Sequence, residues 1–303
     1  MKKPNNNCNS EPRIRSLGKS DLARAAELWL VCFPEDDTDF VSYYFRERTC
    51  PERMLGLFVG EGDGNGERLV SMLCFERREM YAENPETAKK TTVPVCFTAG
   101  VCTDPAYRRR GFIRLLLSEL ERRMNADGAA AVLLQPFDFG FYQKLGYLPF
   151  AKRSIVTAGE NLLPVNADGY AVTEPTAELM SAAYEQAFAG KNGVLKRDRA
   201  HFEALANEFA LPGAKAAAVK RGASFAYALW YGEEAPLAEE FAWTDDAARA
   251  ALERVLAERT EGFRCPIPVG KDGGEYFNMI RILDEKFDYL LTLDPPPFDF
   301  TKY

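Results

Sequence analysis

The strongest constraint on the fold is a succession of three strand-like runs in the first half of the chain. Residues 54–62, 68–81 and 91–103 are rich in apolar and β-branched side chains, and short segments containing Gly or Asn separate them. Strands that follow each other so closely pair as antiparallel neighbours. Because an apolar sheet face must be covered by another layer, we expect the helical patterns around this meander to pack on it.

Helical and further strand patterns complete the first half. Residues 21–32 and 40–48 precede the meander and place apolar side chains at helical spacing. A helix that ends near Asn125 follows the meander, and then come a buried strand at 130–137 and a short helix ended by Gly146. The predicted order is β-α-α-β-β-β-α-β-α-β, a mixed, largely antiparallel sheet flanked by helices.

The second half of the chain restarts the same theme. Residues 215–244 predict three strands joined by short turns, and a strong helix begins at Asp245. This weak internal repeat predicts two domains of α/β (α+β) class with a boundary near residues 150–160. The predicted parts are a disordered lead-in (1–12), a catalytic domain (13–155) and a degenerate second domain with a C-terminal tail (156–303).

Composition excludes several classes of function. The 303 residues carry a net charge of −7, which argues against wholesale binding to nucleic acid. The seven cysteines stand singly and the chain has one histidine, so neither a disulfide framework nor a multi-histidine metal site is expected. The chain also lacks a signal-peptide pattern and any apolar run of about 18 residues, so we expect a cytoplasmic protein that does not span a membrane.

The stretch Tyr107–Arg114, YRRRGFIR, is unexpected in an acidic chain. Its arginines lie at the start of a predicted helix, where cations oppose the helix dipole. A bound phosphate would offset this conflict, because free N–H groups, the dipole and the guanidinium groups all favour an anion. Gly111 would let the backbone approach that anion closely. The alternative is a solvated basic turn, or salt bridges to Glu119 and Glu121.

This stretch resembles the pyrophosphate loop of the GNAT N-acetyltransferase superfamily. Residues 108–113 fit its Arg/Gln-x-x-Gly-x-Gly/Ala pattern except that Ile113 replaces the small residue, and Val101-x-Thr103-x-Pro105 resembles the preceding strand. The resemblance implies acetyl-CoA as co-substrate. It places pantetheine beside Val101 and Thr103, and pyrophosphate on Arg108, Arg109, Arg110, Gly111, Phe112 and Ile113.

The form RRRG, followed by two bulky apolar residues and Arg, resembles the Eis-like ("enhanced intracellular survival") subgroup. That subgroup has tandem GNAT-like domains and then a sterol-carrier-like domain, for which this chain has little room. The resemblance covers about residues 13–290, but its specific motifs lie only in 101–147.

A second motif, FYQKLGY, lies downstream at residues 141–147. It resembles the GNAT segment in which a tyrosine beside the thioester sulfur protonates the leaving thiolate, which implies that Tyr142 is the general acid. A phenol of pKa about 10 can protonate a thiolate of pKa about 8.5 in a slightly uphill step. The alternative is a core aromatic residue on a short helix, and we favour this interpretation for Phe141.

The general base stays open between three sources. The acidic residues Glu35, Asp36 and Asp37 lie on the loop that borders the acceptor site in the implied fold, where they would attract a cationic amine. Their alternative role is helix capping, by Asp37 or by Thr38. In Eis-like enzymes the terminal carboxylate can serve as base; here it would be that of Tyr303, although the missing third domain weakens this correspondence. Water is the third source.

The second half lacks an arginine loop. Asp245 and Asp246 stand where such a loop would lie, and two aspartates at a helix N-terminus cap it well but repel phosphate. We therefore expect this half not to bind acetyl-CoA, and to wall the acceptor cleft instead.

The predicted function is acetyl-CoA-dependent transfer of an acetyl group to a primary amine by direct attack, without a metal. The acceptor is an amine-bearing small molecule or peptide, and a homo-oligomer is compatible with the sequence. One alternative is a non-catalytic acetyl-CoA-binding or interaction module. The other is a tandem-GNAT aminoacyl transferase that uses charged tRNA, against which the acidic composition counts.

Overall fold

The computed structural model describes residues 11–60, 66–160, 164–232, 236–268 and 273–293. The strands in these ranges are β1 (Arg13–Ser16), β2 (Met54–Gly60), β3 (Glu67–Asn84), β4 (Lys89–Thr103), β5 (Ala131–Leu134), β6 (Leu148–Pro149), β7 (Lys152–Thr157), β8 (Ala171–Thr173), β9 (Ala214–Arg221), β10 (Ser224–Tyr231), β11 (Ala238–Trp243), β12 (Arg264–Ile267), β13 (Glu275–Tyr276) and β14 (Met279–Ile282). The helices are α1 (Leu22–Cys32), α2 (Thr38–Tyr43), α3 (Phe112–Ala126), α4 (Phe139–Gln143), α5 (Ala177–Phe188), α6 (Arg199–Glu208) and α7 (Asp246–Arg259). Apart from short 3-10 and π turns, the order up to β6 is the predicted one, and the α/β class is confirmed.

The first half is built on a seven-stranded sheet with the order β1-β2-β3-β4-β5-β14-β6. Its neighbours pair antiparallel except β4 and β5, which run parallel. The strand β14 comes from the far end of the chain and pairs with β5 on one side and β6 on the other. The division into 13–155 and 156–303 stays a prediction, but the first sheet takes Met279–Ile282 from the second range.

The second half is built on a four-stranded antiparallel sheet with the order β11-β10-β9-β8. Alternate residues of β10 face opposite layers, as the pleat of a strand requires. Ala226 and Trp230 pack in the cluster that includes α7, whereas Phe225 and Tyr227 pack in the cluster that includes α5 and α6. Both faces of this sheet are therefore covered by helices.

Buried polar contacts join the two halves. The Arg48 guanidinium lies 3.6 Å from the Glu208 carboxylate, and both side chains are largely buried. The only histidine of the sequence, His201, is buried as well, and its Nδ1 lies 3.1 Å from Nη2 of Arg78. Burial, reinforced by the nearby arginines, holds the pKa of His201 well below its usual range, so the imidazole is neutral. This histidine has a structural environment rather than a catalytic one.

A β-bulge interrupts the pairing of β3 with β4 near the end of β4. Met72 pairs with Cys102 and Cys74 pairs with Ala99, so two residues of β4 face the single residue between them on β3. One of the two is Gly100, which has a φ of 59°. The indole ring of Trp29, from α1, covers this glycine so closely that an added Cβ would lie 2.5 Å from it.

Replacing Gly100 by alanine is expected to lower the free energy of unfolding by about 2–4 kcal/mol. Alanine pays for the left-handed backbone and also displaces the buried indole of Trp29. Gly128→Ala is the control, because Gly128 has a φ of 80° but nothing within 4 Å of its added Cβ; it should cost about 1–2 kcal/mol. Urea unfolding measures both variants, and equal losses would contradict the packing argument.

None of the helices in the described ranges is both long enough and apolar enough to cross a membrane.

Candidate active site

A cavity of about 650 Å³ lies where β4, α3 and α4 meet. It joins a basic end to an apolar end, which is the division expected for a ligand with a phosphate group and an uncharged arm. Its lining residues are Cys32, Phe33, Glu35, Val101, Cys102, Thr103, Tyr107, Arg108, Arg109, Arg110, Gly111, Phe112, Ile113, Arg114, Phe137, Phe141 and Leu145. All eight residues predicted to bind the cofactor are among them.

The backbone between β4 and α3 forms the basic end of the cavity. Arg109 and Gly111 have left-handed φ values of 65° and 78°, and Arg110 between them does not. Alternating hand turns successive N–H groups toward one concave side, which is a common anion-binding arrangement. A left-handed arginine costs about 1–2 kcal/mol, and strain of this kind concentrates at ligand sites. The loop is thus shaped for an anion.

The helix α3 adds its own N-terminus to this loop. Gly111 is the N-cap and has no side-chain oxygen to accept from the first turn, whose earliest intrahelical bond runs from the Leu115 N–H to the Gly111 carbonyl. The preceding N–H groups, of Phe112, Ile113 and Arg114, are therefore free to face a ligand. The Ile113 side chain packs partly against the core, so an isoleucine can occupy the position that is small in the common GNAT pattern.

The arginines of the loop are not committed to carboxylates. The Nε of Arg108 donates to the Thr103 carbonyl at 3.1 Å, and the guanidinium of Arg110 lies 5.0 Å from the ring centre of Tyr107. Glu119, which the sequence offered as an alternative partner, instead binds two arginines further along α3, Arg122 and Arg123.

Within the described part of the chain, no ion pair involves Arg108, Arg109, Arg110 or Arg114. Salt bridges therefore do not explain the basic stretch. Four uncompensated arginines around one N-terminus leave a strong local positive potential.

The apolar end of the cavity contains an open strand edge. β4 pairs with the parallel β5 only as far as Thr98, opposite Leu134, but β4 itself continues to Thr103. Beyond that point no β5 residue covers the main chain of β4, and Val101 and Thr103 line the cavity there. Exposed main-chain groups can pair with an amide-bearing ligand as an added strand would. The rings of Phe137 and Phe141 form the opposite wall.

Tyr142 lies directly behind this wall and not in the cavity lining. Its side chain is 2% exposed, and its ring contacts Phe137 and Phe141 at centroid distances of 5.5 Å and 5.1 Å. Burial raises the pKa of the Tyr142 hydroxyl above its usual value. The phenol is therefore protonated at neutral pH, but two phenylalanine rings separate it from the open space. Phe141, interpreted as a core residue, packs on the core and also lines the cavity.

The three acids of the loop between α1 and α2 have different surroundings. Glu35 lines the cavity. Asp36 accepts a hydrogen bond of 2.7 Å from the indole N–H of Trp29, the residue that covers the bulge. Asp37 caps α2, accepting from the Phe40 N–H at 2.8 Å, which is the capping role that the sequence left open. Glu35 is thus the one acid of the three that faces a ligand, and Tyr303 lies outside the described residues.

The corresponding helix of the second half is capped by protein atoms. Asp245 is the N-cap of α7, and its carboxylate accepts from the Ala248 N–H at 2.9 Å and from the Ser224 hydroxyl. A carboxylate already occupies the place that a phosphate would need. No group of three or more His, Cys, Asp or Glu side chains that could hold a metal occurs in the described ranges.

Several residues of the cavity could not be identified from the sequence. They come from α1 and its loop, from the turn before α3, and from the segment around α4: Cys32, Phe33, Tyr107, Arg114, Phe137, Phe141 and Leu145. The spacing of Phe137, Phe141 and Leu145 by four residues was the one available signal, because it places three side chains on one helical face.

Comparison with known proteins identifies the domain that contains this cavity. The profile of the acetyltransferase (GNAT) domain matches residues 13–150. Residues 13–150 carry a GNAT acetyltransferase domain. This range includes the bulge, the arginine loop and Tyr142.

A curated relative supports the GNAT assignment weakly. The N-acetyltransferase Eis of Mycobacterium tuberculosis is 26% identical over 110 residues, which are 36% of this chain and 26% of that protein. The matched stretch therefore spans about a quarter of the length of the curated relative.

Solved GNAT structures resemble the fold of both halves. Eis1 from Mycobacterium abscessus superposes with a TM-score of 0.64 at 16% identity, over 91% of this chain and 74% of that chain. A tandem GNAT protein from the clavulanic acid biosynthesis pathway gives a TM-score of 0.50 at 11% identity, over 90% and 99%. At these identities the likeness concerns the fold, and it confirms the predicted tandem GNAT-like architecture.

Proposed function

We propose that the protein transfers the acetyl group of acetyl-CoA to a primary amine, with the cofactor in the cavity described above. The observation that carries this proposal is the continuity of the cavity from four unpaired arginines at the N-terminus of α3 to an open, apolar strand edge. Pyrophosphate suits the first part, and the pantetheine arm suits the second. The cofactor positions are the eight predicted residues from Val101 to Ile113.

The chemistry requires no covalent enzyme intermediate. The acceptor amine loses its proton and attacks the thioester carbonyl, which generates an oxyanion, and the main chain at the bulge around Gly100 is the candidate donor to that oxygen. Collapse of the tetrahedral intermediate breaks the carbon–sulfur bond. The leaving thiolate takes a proton from Tyr142, provided that Phe137, which is 71% exposed, moves aside. Glu35 is the acid placed to attract the cationic acceptor.

The second candidate is a non-catalytic acetyl-CoA-binding module. The observation that favours it is the burial of Tyr142 behind two phenylalanine rings, because a proton donor must reach the proton acceptor to within hydrogen-bonding distance. The two candidates share the cofactor site and differ only in turnover.

An activity assay separates these candidates. The full chain is incubated with acetyl-CoA and a panel of amines that includes a polyamine, an aminoglycoside and a lysine-containing peptide, and both the released thiol and the acetylated product are measured. The expected result is cofactor-dependent thermal stabilisation together with product from at least one amine. Stabilisation without any product would support the binding module, and the absence of stabilisation would exclude both candidates.

A further inference from the structure

Two cysteine side chains meet at the edge of the cavity. Cys32 is the last residue of α1, and Cys102 lies near the end of β4; both contribute to the lining. The Cys32 thiol donates to the Thr103 carbonyl at 3.4 Å, and the two cysteine side chains are hydrogen-bonded to each other. Cys32 is half-buried, whereas Cys102 is only 4% exposed. One thiol is therefore accessible from the cavity, and its neighbour is reached only through it.

The surroundings of the two sulfurs make them chemically unequal. The hydrogen bond from Cys102, supported by the adjacent Arg108 guanidinium, lowers the pKa of Cys32 to about 7 although burial opposes this. The same hydrogen bond and burial raise the pKa of Cys102 well above its usual value. Near neutral pH, Cys32 has a large thiolate fraction, and the thiolate is the reactive form. Burial raises the pKa of three other described thiols, Cys74, Cys96 and Cys265, so these stay protonated.

We propose that Cys32 and Cys102 form an oxidative modification site, at which a peroxide oxidises Cys32 and Cys102 then closes a disulfide with it. In the first step the Cys32 thiolate attacks one oxygen of hydrogen peroxide, the O–O bond breaks, and the released hydroxide takes up a proton to leave as water. Cys32 becomes a sulfenic acid. In the second step the Cys102 sulfur attacks the sulfenic sulfur, and the hydroxyl group leaves with the Cys102 proton as a second water. Both thiols are oxidised and one peroxide is reduced.

The position of Cys32 adds a prediction that rests on the proposed function. A cofactor in the cavity covers the accessible thiol, so acetyl-CoA, which has no free thiol of its own, should slow the oxidation. At ten times its dissociation constant, acetyl-CoA leaves about one site in eleven free, and the rate should fall about tenfold.

The experiment maps thiols after exposure to hydrogen peroxide. The full chain is treated, its remaining thiols are alkylated, and the digest is analysed by mass spectrometry without reduction. We expect a peptide that links Cys32 to Cys102 and that reductant separates. The link should be absent in Cys32→Ser and unchanged in Cys50→Ser, whose thiol is equally half-buried. In Cys102→Ser, dimedone should trap the sulfenic acid on Cys32.

Three results would overturn the proposal. They are a link from Cys102 to Cys74 instead, oxidation of Cys50 as fast as that of Cys32, and accumulation of sulfinic acid on Cys32 in the wild-type chain without a link. The wild-type map decides the matter even where a variant fails to fold. If acetyl-CoA gives no thermal stabilisation, the proposed function fails, but the mapping still tests the disulfide. If acetyl-CoA binds and the link forms at an unchanged rate, the placement of Cys32 in the cofactor cavity is wrong.

Discussion

Replacing Arg109 and Arg110 together by alanine is expected to weaken the binding of coenzyme A by about 100-fold. Hydrogen bonds to charged groups contribute about 1.5–3 kcal/mol each, and exposure of the loop to solvent reduces that contribution. In the free protein neither guanidinium pairs with a carboxylate of the described residues, so the substitutions remove ligand contacts without breaking internal ones. Isothermal titration calorimetry measures the dissociation constant.

A charge-matched control comes from the same helix. Arg122 and Arg123 lie nearly three turns further along α3 and bind Glu119. Replacing both by alanine removes the same net charge but should change coenzyme A affinity by less than about threefold. A similar loss in both double variants would mean that the overall charge, and not the loop, attracts the ligand.

A second control tests the assignment of the cofactor site to the first half. Replacing Asp245 and Asp246 by alanine removes the cap of α7, which should lower the free energy of unfolding by about 1 kcal/mol. Coenzyme A affinity should not change, because that N-terminus is occupied by its own carboxylate. A loss of affinity comparable to that of the arginine variants would place the cofactor at the wrong helix.

The sequence predicted the parts of the fold that depend on local pattern. The meander of β2, β3 and β4 follows from residue periodicity, and the arginine loop follows from a conflict between four arginines and a helix dipole. Both are properties of fewer than about twenty consecutive residues. The capping by Asp37 and Asp245 was visible for the same reason, since a cap acts within three residues of its own position.

The features that were not predicted depend on contacts between distant segments. Nothing in the residues of β14 indicates that they pair with β5, about 150 residues earlier. The same is true of Cys32 and Cys102, which meet because α1 packs against the end of β4. The different surroundings of Glu35, Asp36 and Asp37 also required the structure, because adjacent residues of one composition face a cavity, an indole and a helix end.

Tyr142→Phe is expected to lower kcat by about 100-fold or more if Tyr142 protonates the leaving thiolate. The KM for acetyl-CoA should stay nearly constant, because the removed hydroxyl does not line the cavity. Burial raises the pKa of this phenol, so it remains protonated well into the alkaline range. The wild-type kcat should therefore rise with pH as the amine loses its proton, and should not fall below about pH 10.

Tyr147→Phe is the matched control. Tyr147 belongs to the same motif, is fully buried, and its ring lies 6.0 Å from that of Tyr142. Both variants remove one buried hydroxyl, so any general effect on packing should appear in both, and urea unfolding will measure it. If only Tyr142→Phe loses turnover, the hydroxyl acts on the reaction and the wall of Phe137 and Phe141 must open during the catalytic cycle. If the two variants turn over equally well, the leaving thiolate takes its proton elsewhere, and the burial of Tyr142 is structural.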